Sequence, residues 1–80
     1  PPRARALLED AAARDDGDAI EAVAELHGEL LAQGDPAAAQ RLLDGTARRN
    51  AWFAGKVADA LQERGYRLEA DALRARADKG

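Results

Sequence analysis

Turn-forming residues recur along this chain at intervals of about one helix length, and that spacing limits the fold more than any other feature. "DDGDAI" breaks the chain at Gly17, "QGDPAA" at Gly34 to Pro36, "RRNAW" at Asn50 and "ERGYRL" at Gly65. The segments between them read as helices, over 3–15, 19–33, 36–48, 51–64 and 67–78. Asp18 is placed to cap the second, with Glu21 completing a capping-box-like pattern. Asp35 caps the third, with Pro36 at the first helical position, where a missing N–H costs nothing. Asn50 caps the fourth, and Gly34 and Gly65 are left-handed stops. Arg14, Arg64, Arg48 and Arg49 fall near helix ends, where cations favour the dipole. Connections this short make neighbouring helices antiparallel hairpins. The expectation is one all-α domain over 1–80, with a half-hairpin helix at 3–16, one hairpin at 18–48 and another at 50–78. Stacked hairpins and a compact helical bundle are the two architectures that fit.

Composition supports this. The chain is 46% hydrophobic but only 4% aromatic, and a core of alanine and leucine suits close-packed helices better than a β-sandwich. It also removes several chemistries. There is no cysteine, hence no disulfide or thiolate site, and His27 is the only histidine. Serine is absent, and Thr46 and Tyr66 are the only hydroxyls, so a nucleophilic triad has no material. No apolar run approaches the ~20 residues of a membrane span. No export signal is visible, and the chain, which starts "PPRAR", reads as a piece of a longer protein. Its alanine, arginine and aspartate bias suggests a GC-rich bacterial genome and, with no export signal, a cytoplasmic protein. The net charge of −3 hides an asymmetry: residues 1–35 hold three basic and nine acidic groups, net −6, and residues 36–80 nine basic and six acidic groups, net +3. Such a dipole steers a partner or aligns copies of the chain.

A shift of 31 residues lays Gly34 on Gly65, Leu26 on Val57, Leu30 on Leu61, Ala39 on Ala70 and Leu42 on Leu73. The matches fall on apolar positions and the turn glycine, so the two hairpins form an internal repeat. Leu7-Leu8-Glu9 parallels Leu42-Leu43-Asp44 at a shift of 35, which makes the first helix resemble the second helix of such a pair. "VAELHGELLAQGDPAAAQRLLDGTA", residues 23–47, resembles a tetratricopeptide repeat: Val23, Leu26 and Leu30 stand where that family packs its first helix, Gly34-Asp35 is its turn, and Ala39 and Leu43 are typical of its second helix. Ala54, Val57, Leu61, Gly65 and Ala70 follow the same pattern. Arg74, His27 and the short spacing of 31 depart from it. "RLLDGTARRNAWFAGKVADALQERG", residues 41–65, also resembles the later helices of caspase-recruitment-type death-fold domains, which assemble homotypically.

Trp52 and Phe53, adjacent, point about 100° apart on a helix, so both cannot face one core. The repeat lays Phe53 on Ala22, toward the packed side, and Trp52 on Glu21, outward. The tetratricopeptide resemblance implies a groove lined by Glu21, Ala24, Gly28 and Leu31 from one helix and Trp52, Gly55, Asp59 and Gln62 from the next, receiving a peptide or partner helix. Exposed, Trp52 would be its anchor; otherwise it packs on the Leu7/Leu8 helix or covers a missing neighbour. Glu21, Glu25 and Glu29 line one helix face, a solvated stripe rather than a metal or acid–base site, with docking of a basic partner as the alternative. His27 sits at the margin of the Val23/Leu30/Leu31 stripe as a structural histidine. Arg48, Arg49 and Lys56 flank the aromatic pair; such clusters can hold nucleic acid, but in an acidic chain pairing with nearby acids fits better. Arg74 and Arg76 read as exposed. Gly28 and Gly55, inside helices, imply close approach of another backbone. Together these features predict a non-catalytic adaptor or scaffold module, without cofactor or metal, that docks a protein or peptide partner. Homotypic, head-to-tail self-association is the alternative, and nucleic acid and membranes are not favoured.

Overall fold

Two side-chain caps and two glycine stops set most of the helix boundaries. The computed structural model describes residues 2–12 and 17–79, as five helices: α1 (Pro2–Ala12), α2 (Gly17–Ala32), α3 (Pro36–Arg49), α4 (Ala51–Glu63) and α5 (Arg67–Lys79). No strand occurs among the described residues. The Asp35 carboxylate accepts from the Ala38 N–H at 3.1 Å, with Pro36 at the helix start. The Asn50 side chain accepts from the Phe53 N–H at 2.7 Å and caps α4. Each cap satisfies one of the N–H groups a helix start leaves without a partner.

The two hairpin turns are the same structure at the 31-residue shift. Gly34 and Gly65 adopt φ of 76° and 93°, where a side chain is strained. The Gly34 N–H donates to the Leu31 carbonyl at 3.0 Å and the Asp35 N–H to Leu30 at 2.9 Å. In the second turn the Gly65 N–H donates to Gln62 at 3.0 Å and the Tyr66 N–H to Leu61 at 2.9 Å. This paired closure satisfies the last carbonyls of α2 and α4 and reverses the chain in two or three residues.

Among the described boundaries one differs from expectation by more than a single residue. Helix α2 starts at Gly17 rather than 19, so Asp18 lies inside its first turn and does not precede it as a cap. There its carboxylate still favours the positive end of the dipole. The expected end of the first helix at 15, and the role of Arg14, lie outside the described residues.

Short turns dictate the layering. Helix α2 packs on α3 and α4, α3 on α4 and α5, and α4 on α5, so α2 lies beside α4 and α3 beside α5. Among the described residues α1 runs along α2 alone. The main core joins Ala22, Val23 and Ala24 of α2 and Leu43 of α3 to Phe53, Ala54, Val57, Ala58 and Leu61 of α4 and Ala70 and Leu73 of α5. A smaller cluster of Leu26, Leu30, Ala38 and Ala39 closes the other end of the first hairpin, with Leu8 of α1 against it. Alanine at so many buried positions lets the helix axes approach closely, and the few leucines supply most of the buried apolar area.

Candidate functional site

The aromatic pair at the start of α4 is split as helix geometry requires. Phe53 is 3% exposed and packs in the main core, with the Arg49 guanidinium 4.2 Å above its ring. Trp52 is 63% exposed. It does not pack on α1. It lines a shallow cleft between α4 and α5, with Gly55, Lys56 and Asp59 on its own helix and Arg74, Ala77 and Asp78 on the other. Gln62 and Glu63 continue the same face one turn further.

Arg74 holds that face in shape. Its guanidinium donates to the Asp59 carboxylate at 2.6 Å and to the Gln62 side-chain oxygen at 2.8 Å, with Asp71 3.5 Å away on its own helix. Arg74 was expected to be exposed; it is half-buried. Asp59 and Arg74 stand at nearly equal distances from the turn at Tyr66, which is what lets them meet across an antiparallel hairpin. That symmetry about the turn was the available signal.

Part of the expected groove on α2 is covered. Glu21, Ala24, Gly28 and Leu31 were assigned to the same docking face as Trp52, but the second hairpin sits over Ala24 and Gly28, while Glu21 stays exposed. Glu21 pairs with Arg64 at 3.3 Å. Ala24 is fully buried in the cluster that holds Ala54, Val57 and Leu61. A Cβ at Gly28 would stand 3.6 Å from the Tyr66 hydroxyl, and Leu31 packs half-buried on the smaller cluster. The reason is the stacking itself: the face one hairpin offers outward is the face on which the next hairpin sits. Trp52, Gly55, Asp59 and Gln62 belong to the last hairpin described and stay uncovered. Nor does either helical glycine answer to a close backbone. Gly28 meets only the Tyr66 side chain, and nothing lies within 4 Å of a Cβ at Gly55.

A second cleft adjoins the first through Ala51 and Ala77, at the junction of α3 and α4, and carries Arg48, Arg49 and Arg76. Arg76 is ion-paired with Asp44. The basic–aromatic cluster is therefore divided: Arg49 stacks inward on Phe53, Arg48 is exposed at the second cleft, and Lys56 is exposed at the cleft that Trp52 lines.

His27, expected at the margin of a stripe, is 2% exposed. Its ring meets Tyr66 edge-on, with centroids 4.9 Å apart and planes at 80°. Its Nδ1 has no hydrogen-bond partner. Burial pushes its pKa below the ordinary 6.5, partly offset by the negative charge of Glu69 on α5. Among the described residues no cluster of histidine and carboxylate side chains fits a metal ion, and no helix is long and apolar enough to cross a membrane. No family model, no curated protein and no solved structure matches this chain.

Proposed function

We propose that this chain is a non-catalytic interaction module that docks a peptide or helix of a protein partner on its α4–α5 face, with Trp52 as the anchor. The observation that carries this is the 63% exposure of the chain's one tryptophan beside a braced cleft. An indole in water is the side chain with most to gain from being covered, because it loses little rotamer entropy on binding. Gly55 leaves open space next to it on the following turn. The Arg74–Asp59–Gln62 network fixes the cleft wall before any partner arrives, which lowers the ordering cost of association. The charges around Trp52 then form a polar rim that selects among partners more than it adds affinity. The adaptor role and cytoplasmic setting expected from the sequence are compatible with such a module, as is the tetratricopeptide resemblance, with the docking face moved from the α2–α4 groove to the α4–α5 surface.

The test is a helical-peptide library selected against the full chain, with binding read by Trp52 emission. Trp52→Ala should weaken the selected binders by about 30-fold or more, the size of a hot-spot loss. Binders that ignore Trp52→Ala would show that the anchor is misplaced.

A further inference from the structure

We propose that Tyr66 and His27 form an acid-sensitive latch: when His27 takes up a proton, the Tyr66 ring swings off it and the α4–α5 turn comes away from α2. The latch is independent of the docking role proposed for Trp52, which lies at the opposite end of α4 from that turn.

The contact is a departure from the 31-residue repeat. At the first turn the Asp35 side chain caps its own helix, accepting from the Ala38 N–H at 3.1 Å. Its mate in the second turn is Tyr66. The backbone is alike in both: the Ala39 N–H donates to the Asp35 carbonyl at 3.2 Å and the Ala70 N–H to the Tyr66 carbonyl at 3.0 Å. The side chain is put to another use. The Tyr66 ring reaches back to α2, meets the His27 ring edge-on with centroids 4.9 Å apart, and brings its hydroxyl over Gly28. Arg64 of the same turn pairs with Glu21 at the surface, an exposed contact that contributes little. Tyr66 on His27 is therefore the buried tie between the turn and α2.

A neutral imidazole suits this place and an imidazolium does not. The ring is 2% exposed and its Nδ1 has no hydrogen-bond partner. Protonation puts an N–H on both nitrogens, and a buried charge with an unpaired donor is costly. One turn away on the same helix stand Val23, Ala24, Leu30 and Leu31, all apolar, while Glu25 and Glu29 lie off that face. Helices α1, α3 and α4 meet α2 through apolar side chains, Leu8, Ala39 and Leu61 among them. The titratable groups that face the ring among the described residues are Tyr66 and, from α5, Glu69, whose negative charge favours the proton without making up for burial. Tyr66 is the part that can move. It is half-buried on a turn at the edge of the core, and its departure gives the imidazole to water.

The experiment is a proton NMR titration of the full chain from about pH 7.5 to about pH 5, across the range where a histidine changes charge. His27, Tyr66 and Phe53 are each the only residue of their type, so their ring signals are read separately. The His27 midpoint should lie below 6.5. The Tyr66 ring signals should move with it as the contact between the two rings disappears, while Phe53, in the main core, holds its folded position. The released fraction should grow by up to about tenfold per pH unit below 6.5, until the folded midpoint is reached. Tyr66→Ala should return the His27 midpoint to about 6.5, the value of an imidazole in water. Glu69→Gln removes the charge that favours the proton and should move the midpoint lower. His27→Gln should make the Tyr66 signals independent of pH; if that variant loses helicity, the Glu69→Gln shift decides. A His27 midpoint at or above 6.5, or Tyr66 signals that stay in place while His27 titrates, overturns the proposal. So does a Tyr66 shift shared by Phe53, which would mean unfolding of the whole domain rather than release of a latch.

Discussion

In the first hairpin Ala24 and Gly28 of the outward stripe lie under Tyr66 and the core of the second, Glu21 stays exposed with Arg64 paired to it, and Leu43 and Thr46 on α3 are buried. In the second hairpin the positions 31 residues later are Trp52, Gly55 and Asp59 on α4 and Arg74 and Ala77 on α5, and they face a cleft open to water. The glycine closures of the two turns have the same hydrogen-bond lengths, 3.0 and 2.9 Å, so the backbone does not explain the difference. Coverage does. Where a second layer arrives, small and apolar residues let it seat; where none arrives, arginine replaces leucine at position 74 and is neutralised by Asp59 across the hairpin. Trp52 is the exception on that face, which is why it carries the functional proposal.

The comparison can be broken most forcefully in the core. Leu61 is fully buried in the large cluster, and its repeat mate Leu30 lies in the small one. Leu61→Ala should cost about 3–5 kcal/mol and Leu30→Ala about 2–3 kcal/mol, measured by urea unfolding. For a domain of this size the first approaches the whole folding free energy. Equal losses would mean that the second hairpin is not the centre of the fold. Nearly as large is the contrast between Ala24→Asp and Gly55→Asp. The first forces a carboxylate into a fully buried seam and should cost about 3 kcal/mol or more, whereas the second, at the open mate, should stay within about 0.5 kcal/mol. Similar effects at the two sites would show that the faces do not differ in coverage.

The junction of the hairpins, where His27 meets Tyr66, should also be sensitive to pH. A histidine whose folded pKa lies below its unfolded 6.5 binds fewer protons folded than unfolded across that interval. Its contribution is fully present above about pH 6.5 and declines as pH falls toward the folded pKa. Thermal melts between pH 7 and 5 should therefore show falling stability, and His27→Leu should flatten the slope. A slope unchanged in that variant would place the pH response elsewhere. The smallest expected effect is a gain. Gly55→Ala meets nothing within 4 Å and should stabilise α4 by about 0.5–1 kcal/mol. A loss would mean that the cleft is tighter than its open geometry implies.

Much of this was legible along the chain. Asp35, Pro36 and Asn50 announced helix starts because capping is a contact within four residues, and Gly34 and Gly65 announced turns because their φ values are a local demand. Adjacency alone separated Trp52 from Phe53, since neighbours on a helix cannot share a face. Ala24 and Gly28, expected to line an open groove, lie under the second hairpin for a physical reason. A helical stripe of Glu21, Ala24 and Gly28 looks the same in sequence whether water or another helix lies over it, and small residues are compatible with both.

Local chemistry therefore determined the helices, the turns, the repeat of 31 and the absence of thiol and serine chemistry. Each of these depends on residues a few positions apart or on composition. Tertiary structure alone decided that Arg64 pairs with Glu21 and Tyr66 comes over Gly28, that Arg74 reaches Asp59 and Gln62, that His27 is buried beside Tyr66, and that the Trp52 face stays open. Those outcomes depend on which hairpin stacks on which face, and that choice is made by burial summed over the whole core.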